Sequence, residues 1–79
     1  MHLRPADYVI YVFGGVRATS RAIGRSASSV SRWQTYKNRD GLGGTIPSAI
    51  QGIILERASE LKLDISADDL IHGREIKAC

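Results

Sequence analysis

The chain of 79 residues is poor in the residue types that most often build chemistry or staples: it has one cysteine, two histidines and two prolines. The single cysteine, Cys79, excludes an internal disulfide framework and a multi-cysteine metal site. His2 and His72 lie near the two ends, a poor starting point for a serine–histidine–carboxylate relay. No apolar run approaches the roughly 20 residues that span a bilayer, and Asp7 within MHLRPADYVIYVF interrupts any secretory signal. These absences predict a soluble, untargeted, cytoplasmic chain with no cofactor and no contact with a membrane.

A further absence is one of charge sign. Between Val16 and Arg39 there is no acidic residue. Residues 1–39 hold seven basic side chains against Asp7 alone, a balance of +6, whereas residues 40–79 hold four basic against seven acidic, a balance of −3. The overall +3 conceals this polarity. Such separation predicts a cationic surface for a polyanion on the amino-terminal half. At this length the chain forms one domain, residues 1–79, with a modest core that a dimer would support.

Apolar spacing predicts about five short helices and no strand. Pro5 suits a first helical turn, and Ala6, Val9, Ile10 and Phe13 recur at helical intervals before Gly14 and Gly15. A second helix from Val16 turns Val16, Thr19, Ser20 and Ile23 inward and Arg17 and Arg21 outward, and Gly24 ends it. Ser26 is an N-cap for a third helix reaching about Lys37, its hydroxyl accepting from the backbone of Ser28 or Ser29. Ala27, Val30 and Trp33 form the inner row of that helix, which leaves Ser28, Ser31, Arg32 and Thr35 outside. Asn38 to Thr45, NRDGLGGT, reads as a flexible loop. Pro47 and Ser48 open a fourth helix through Ile50, Ile53, Ile54, Ala58 and Leu61. Ser66 and Asp69 form a capping-box-like pair for a fifth, which carries Leu70 and Ile71 to the core before Gly73.

Two short helices joined at GRS, the second with an apolar inner row and a polar outer face, make a helix-turn-helix pattern. Gly24 permits the turn, Ser20 permits close approach, and Ile23, Val30 and Trp33 fix the angle. A helix offered in this way fits the DNA major groove, where Arg32 has the geometry for a bidentate contact to guanine and Arg17, Arg21 and Arg25 suit phosphates.

The run FGGVRATSRAIGRSASSVSRW, Phe13 to Trp33, resembles the helix-turn-helix of Cro-like and lambda-repressor-like phage and bacterial regulators, and the five-helix plan is similar to theirs. The specific motif covers about a quarter of the chain. The resemblance implies that Ala27, Ser28, Ser31 and Arg32 face bases, and that Ser26, Val16 and Arg17 meet phosphates. Ser29 and Lys37 on the same helix join Arg21 and Arg25 in the phosphate set. The implied protein is a repressor that binds double-stranded DNA as a homodimer on a two-fold-related operator, its dimer surface around Leu63, Ile65, Leu70 and Ile71.

Other readings compete for the same residues. GRSAS departs from a nucleophile elbow, because Ser28 stands where glycine is needed and no strand precedes it, so no enzyme is expected. GLGGT lacks the lysine of a phosphate-binding loop. Trp33 and the tyrosines suit stacking on unpaired bases, but the spacing of Trp33 from Val30 assigns it to the core. An antitoxin or adaptor module with the same fold and no specific DNA readout remains the alternative.

Overall fold

The structure is a computed structural model that describes residues 2–35 and 41–76. Its element order is β1 (His2–Leu3), α1 (Pro5–Phe13), α2 (Val16–Ile23), α3 (Ala27–Gln34), α4 (Ser48–Glu60), α5 (Asp69–His72) and β2 (Arg74–Glu75). The helices pack into a small globule with extents of 33 × 29 × 20 Å. No helix among the described residues is long and apolar enough to cross a membrane.

The core forms where the helical rows converge. Ala6, Val9 and Ile10 of α1, Ile23 of α2, Val30 and Trp33 of α3, Ile50 and Ile54 of α4, and Leu70 of α5 make one buried cluster with Ile46. Each large apolar side chain withdrawn from water in this way contributes about 1.5–3 kcal/mol. Thr19 is also fully buried, and its hydroxyl donates to the Gly15 carbonyl at 2.8 Å, so the polar group enters the core with a partner. Tyr8 is buried too, which its polar hydroxyl obscures in the sequence; that hydroxyl donates to the Asp64 carbonyl at 2.6 Å.

The predicted all-α architecture needs one correction. β1 and β2 form a short antiparallel ribbon, His2 opposite Glu75 and Leu3 opposite Arg74. The strands are two residues each and lie far apart in sequence, so no alternation of apolar and polar residues announces them. The ribbon is reinforced by His2 Nε2, 2.8 Å from the His72 carbonyl oxygen.

Arg74 ties this ribbon to the helices. Its guanidinium donates to Asp69 Oδ2 at 2.7 Å and to Asp64 Oδ2 at 3.0 Å, and it lies 4.8 Å from the centre of the Tyr8 ring. The hydrogen bonds from Arg74 hold the Asp69 carboxyl below the ordinary carboxylate range; burial opposes them, and contacts with Ser66 add to the lowering. The Ser66–Asp69 pair forms as predicted: the Ser66 amide donates to Asp69 Oδ2 at 2.9 Å, and the Asp69 amide to Ser66 Oγ at 3.4 Å. The turn it starts leads into α5, which buries Leu70 but leaves Ile71 63% exposed, against the expectation of two inward residues. Leu61 likewise turns out 56% exposed, because α4 ends just before it.

Candidate nucleic-acid interface

The turn between α2 and α3 is set by backbone geometry. Gly24 adopts φ 71° and ψ 30°, the left-handed conformation that costs an L-residue about 1–2 kcal/mol, and both its amide and that of Arg25 return to the Ser20 carbonyl. Ser26 is then extended and caps α3, its Oγ accepting from the Ser29 amide at 3.2 Å and donating to Ser29 Oγ at 3.0 Å. Of the two amides proposed for this cap, the one used is that of Ser29.

Val30 and Trp33 are buried at 0% and 2% exposure, so α3 has one orientation against the core. Ser28, Ser31 and Arg32 consequently stand exposed, and Ala27 is half-buried beside them. On α2 the side chains of Arg17 and Arg21 are exposed one helical turn apart, and Arg25 is exposed in the turn. Among the described residues, no carboxylate pairs with Arg17, Arg21 or Arg25. Val16 differs from the other candidates in packing partly against the core, so it offers its backbone rather than its side chain to a ligand.

The third helix is shorter than its sequence suggests. It closes at Gln34, and Thr35 is extended at ψ 144°. The cause lies in the segment that follows: the Leu42 amide donates to the Arg32 carbonyl at 2.9 Å, Gly44 to Trp33 at 2.6 Å, and Gly43 to Thr35 at 2.8 Å. These bonds satisfy carbonyls that a helix end leaves without partners. What read as a flexible connection is therefore, over residues 41–46, an arch bonded to the end of α3. Gly44 is essential to it, because a Cβ there would stand 2.5 Å from Arg4 Cδ, and its φ is +90°. Its carbonyl accepts from the Ala6 amide at 2.8 Å and so supports the start of α1 as well.

Arg4 was not singled out from the sequence, yet it holds the same helix end. Its Nε donates to Asp7 Oδ2 at 2.7 Å and its Nη2 to the Gln34 carbonyl at 3.4 Å, while Gln34 Nε2 donates to Asp7 Oδ1 at 2.8 Å. Burial raises the Asp7 pKa, but the hydrogen bonds from Arg4 and Gln34 and the Arg4 charge together outweigh it, leaving the carboxyl below its ordinary value. The spacing Arg4–Asp7 at a helix start was a visible local signal; the reach to Gln34 was not.

Three of the sequence-predicted residues meet at one feature. Arg25, Ser29 and Arg32 line a cavity of about 300 Å³ whose walls among the described residues also include Trp33, Leu42, Pro47 and Ile50. Arg17 and Arg21 do not line it. Lys37, assigned to phosphates, lies outside the described residues. The suggested dimer surface is dispersed: Leu70 belongs to the core of the single chain, Ile65 is partly packed against it, and Ile71 is open. Among the described residues, no group of His, Cys, Asp and Glu is arranged to hold a metal ion. No protein-family model, curated protein or solved structure matches the chain.

Proposed function

We propose that the chain is a sequence-specific, double-stranded DNA-binding protein of Cro-like helix-turn-helix type, acting as a homodimeric transcriptional repressor. The observation that supports this most is the pairing of a core-anchored α3, exposed at Ser28, Ser31 and Arg32, with Arg17, Arg21 and Arg25, which meet no carboxylate among the described residues. In this reading α3 enters the major groove and Arg32 reads a base edge by a bidentate contact, with Ala27, Ser28 and Ser31 alongside. Phosphates are met by Arg17, Arg21, Arg25, Ser26, Ser29, Lys37 and the backbone near Val16. Two copies would set their recognition helices about 34 Å apart, on successive major grooves of one side of the duplex, where they exclude polymerase. Function here is occupancy, and no bond is made or broken.

Selection of bound sequences from random duplex DNA tests the proposal. The expected result is a palindromic consensus with half-sites one helical turn apart, about 10 base pairs. Retention of duplexes without any consensus would instead support an adaptor or antitoxin module that lacks base readout.

A further inference from the structure

The cavity beside α3 has a composition that DNA does not explain. A phosphodiester contact needs cations and hydrogen-bond donors only, and Arg17 and Arg21 present those on an open helix surface. Arg25, Ser29 and Arg32 instead border a concavity of about 300 Å³ walled by the Trp33 ring, Leu42, Pro47 and Ile50. Among the described residues, no acidic side chain lines it. Trp33, Ile50 and the bonded arch that carries Leu42 belong to, or pack against, the rigid core, so the apolar walls are preformed. A concavity with apolar walls and a few convergent polar groups is the general form of a small-molecule site, and this volume lies at the lower end of that range.

We propose that this cavity binds a small organic carboxylate, its ring or branched alkyl body against Leu42 and Pro47 over the nearly buried Trp33 and Ile50, and its carboxylate toward Arg25 and Ser29. The ligand should be compact, because the volume lies at the lower end of the range of small-molecule sites. Occupancy places a negative charge against Arg25 and Arg32, so it opposes DNA binding; this consequence rests on the DNA-binding reading, whereas the site itself does not.

Trp33 is the sole tryptophan and forms one wall, which supplies a direct readout on the intact chain. The probes are cyclohexanecarboxylate, its neutral isostere cyclohexanecarboxamide, and inorganic phosphate as an anion without an apolar body. The carboxylate should change Trp33 fluorescence saturably, with the amide and phosphate each at least about tenfold weaker, since the site needs both charge and apolar contact. Arg25→Gln should weaken the carboxylate about tenfold, and Ser29→Leu, which fills the cavity but keeps the Ser29 backbone amide that bonds Ser26, should abolish saturation. Arg57→Gln, which removes the same charge outside the cavity, should leave carboxylate affinity unchanged.

Far-ultraviolet circular dichroism of each variant establishes that it folds. Absence of a saturable signal with folded wild-type protein, or undiminished binding by folded Ser29→Leu, would overturn the proposal. Carboxylate binding without any duplex binding would uphold the site and refute the DNA reading alone. Simultaneous, non-competing binding of both would refute the shared use of Arg25 and Arg32.

Discussion

Arg17, Arg21 and Arg25 in the amino-terminal half and Arg57 and Arg74 in the carboxy-terminal half carry the same guanidinium, but among the described residues only the second group meets carboxylates. Arg57 pairs with Glu60 at 2.7 Å, and Arg74 bridges Asp64 and Asp69. Arg4, at the edge of the basic half, resembles the second group, since it is held by Asp7. Arg74 and Arg4, which tie separate elements together, and Arg57, which pairs within α4, each have an acid at a short and definite distance. Those on α2 and in the turn after it have none among the described residues, and the sequence around them from Val16 to Arg39 contains none to offer. The uncompensated set raises local positive potential, which attracts a polyanion and costs the folded state some self-repulsion.

This contrast gives way most completely if its support is removed. Trp33→Ala deletes a side chain 2% exposed at the centre of the core and should cost about 3–5 kcal/mol, a large part of the roughly 5–15 kcal/mol available to a small domain. Chemical denaturation would then show loss of the folded state, and duplex binding would disappear with it.

Within the amino-terminal half, base readers and phosphate holders separate by what they lose. Arg32→Ala should cost about 1–3 kcal/mol on the preferred duplex and relax preference at one position. Arg17→Ala should weaken all duplexes alike and lower the magnitude of the logarithmic salt slope by about one. Equal losses for both variants on preferred and random DNA would remove the distinction. Gly24→Ala should destabilise by about 1–2 kcal/mol through its backbone alone, because an added Cβ there meets nothing within 4 Å.

Where an arginine meets a carboxylate the effects are smaller and depend on pH. Asp69 and Asp7 have folded-state pKa values below their unfolded ones, near 3.8. Their stabilisation is therefore fully present above that value and is lost as the pH falls through the lower folded values. Arg74→Gln should lower Tm at pH 7 and lower it progressively less as the pH falls below 3.8 and Asp69 takes up its proton, with the duplex salt slope unchanged. A Tm loss that is constant across this range would show that Arg74 acts by packing over Tyr8 rather than through its carboxylates.

The features legible in the sequence were those decided within a few residues. Ser26 and the Ser66–Asp69 pair cap their turns, and Gly24 ends α2, because each bond or backbone constraint is local. The spacing of Val30 and Trp33 likewise fixed which face of α3 is buried. Features decided by distant partners were not legible. The early end of α3 follows from amides of Leu42, Gly43 and Gly44, and β1 exists only because Arg74 and Glu75 lie beside it. The candidate site divides in the same way: Arg25, Ser29 and Arg32 were found from one helix and its turn, whereas Leu42, Pro47 and Ile50 join them only after folding. Arg4 escaped notice because its role at Gln34 crosses 30 positions of sequence.

The central claim is that α3 reads sequence rather than merely charge. Its most direct test is the ratio of affinities, at physiological salt, for the duplex selected from random DNA and for a scrambled duplex of the same length and composition. A sequence-specific repressor should give a ratio of about 10³ or more. A ratio near one, with binding that vanishes as salt rises, would contradict the claim and leave the arginines of α2 and the turn as a non-specific polyanion surface.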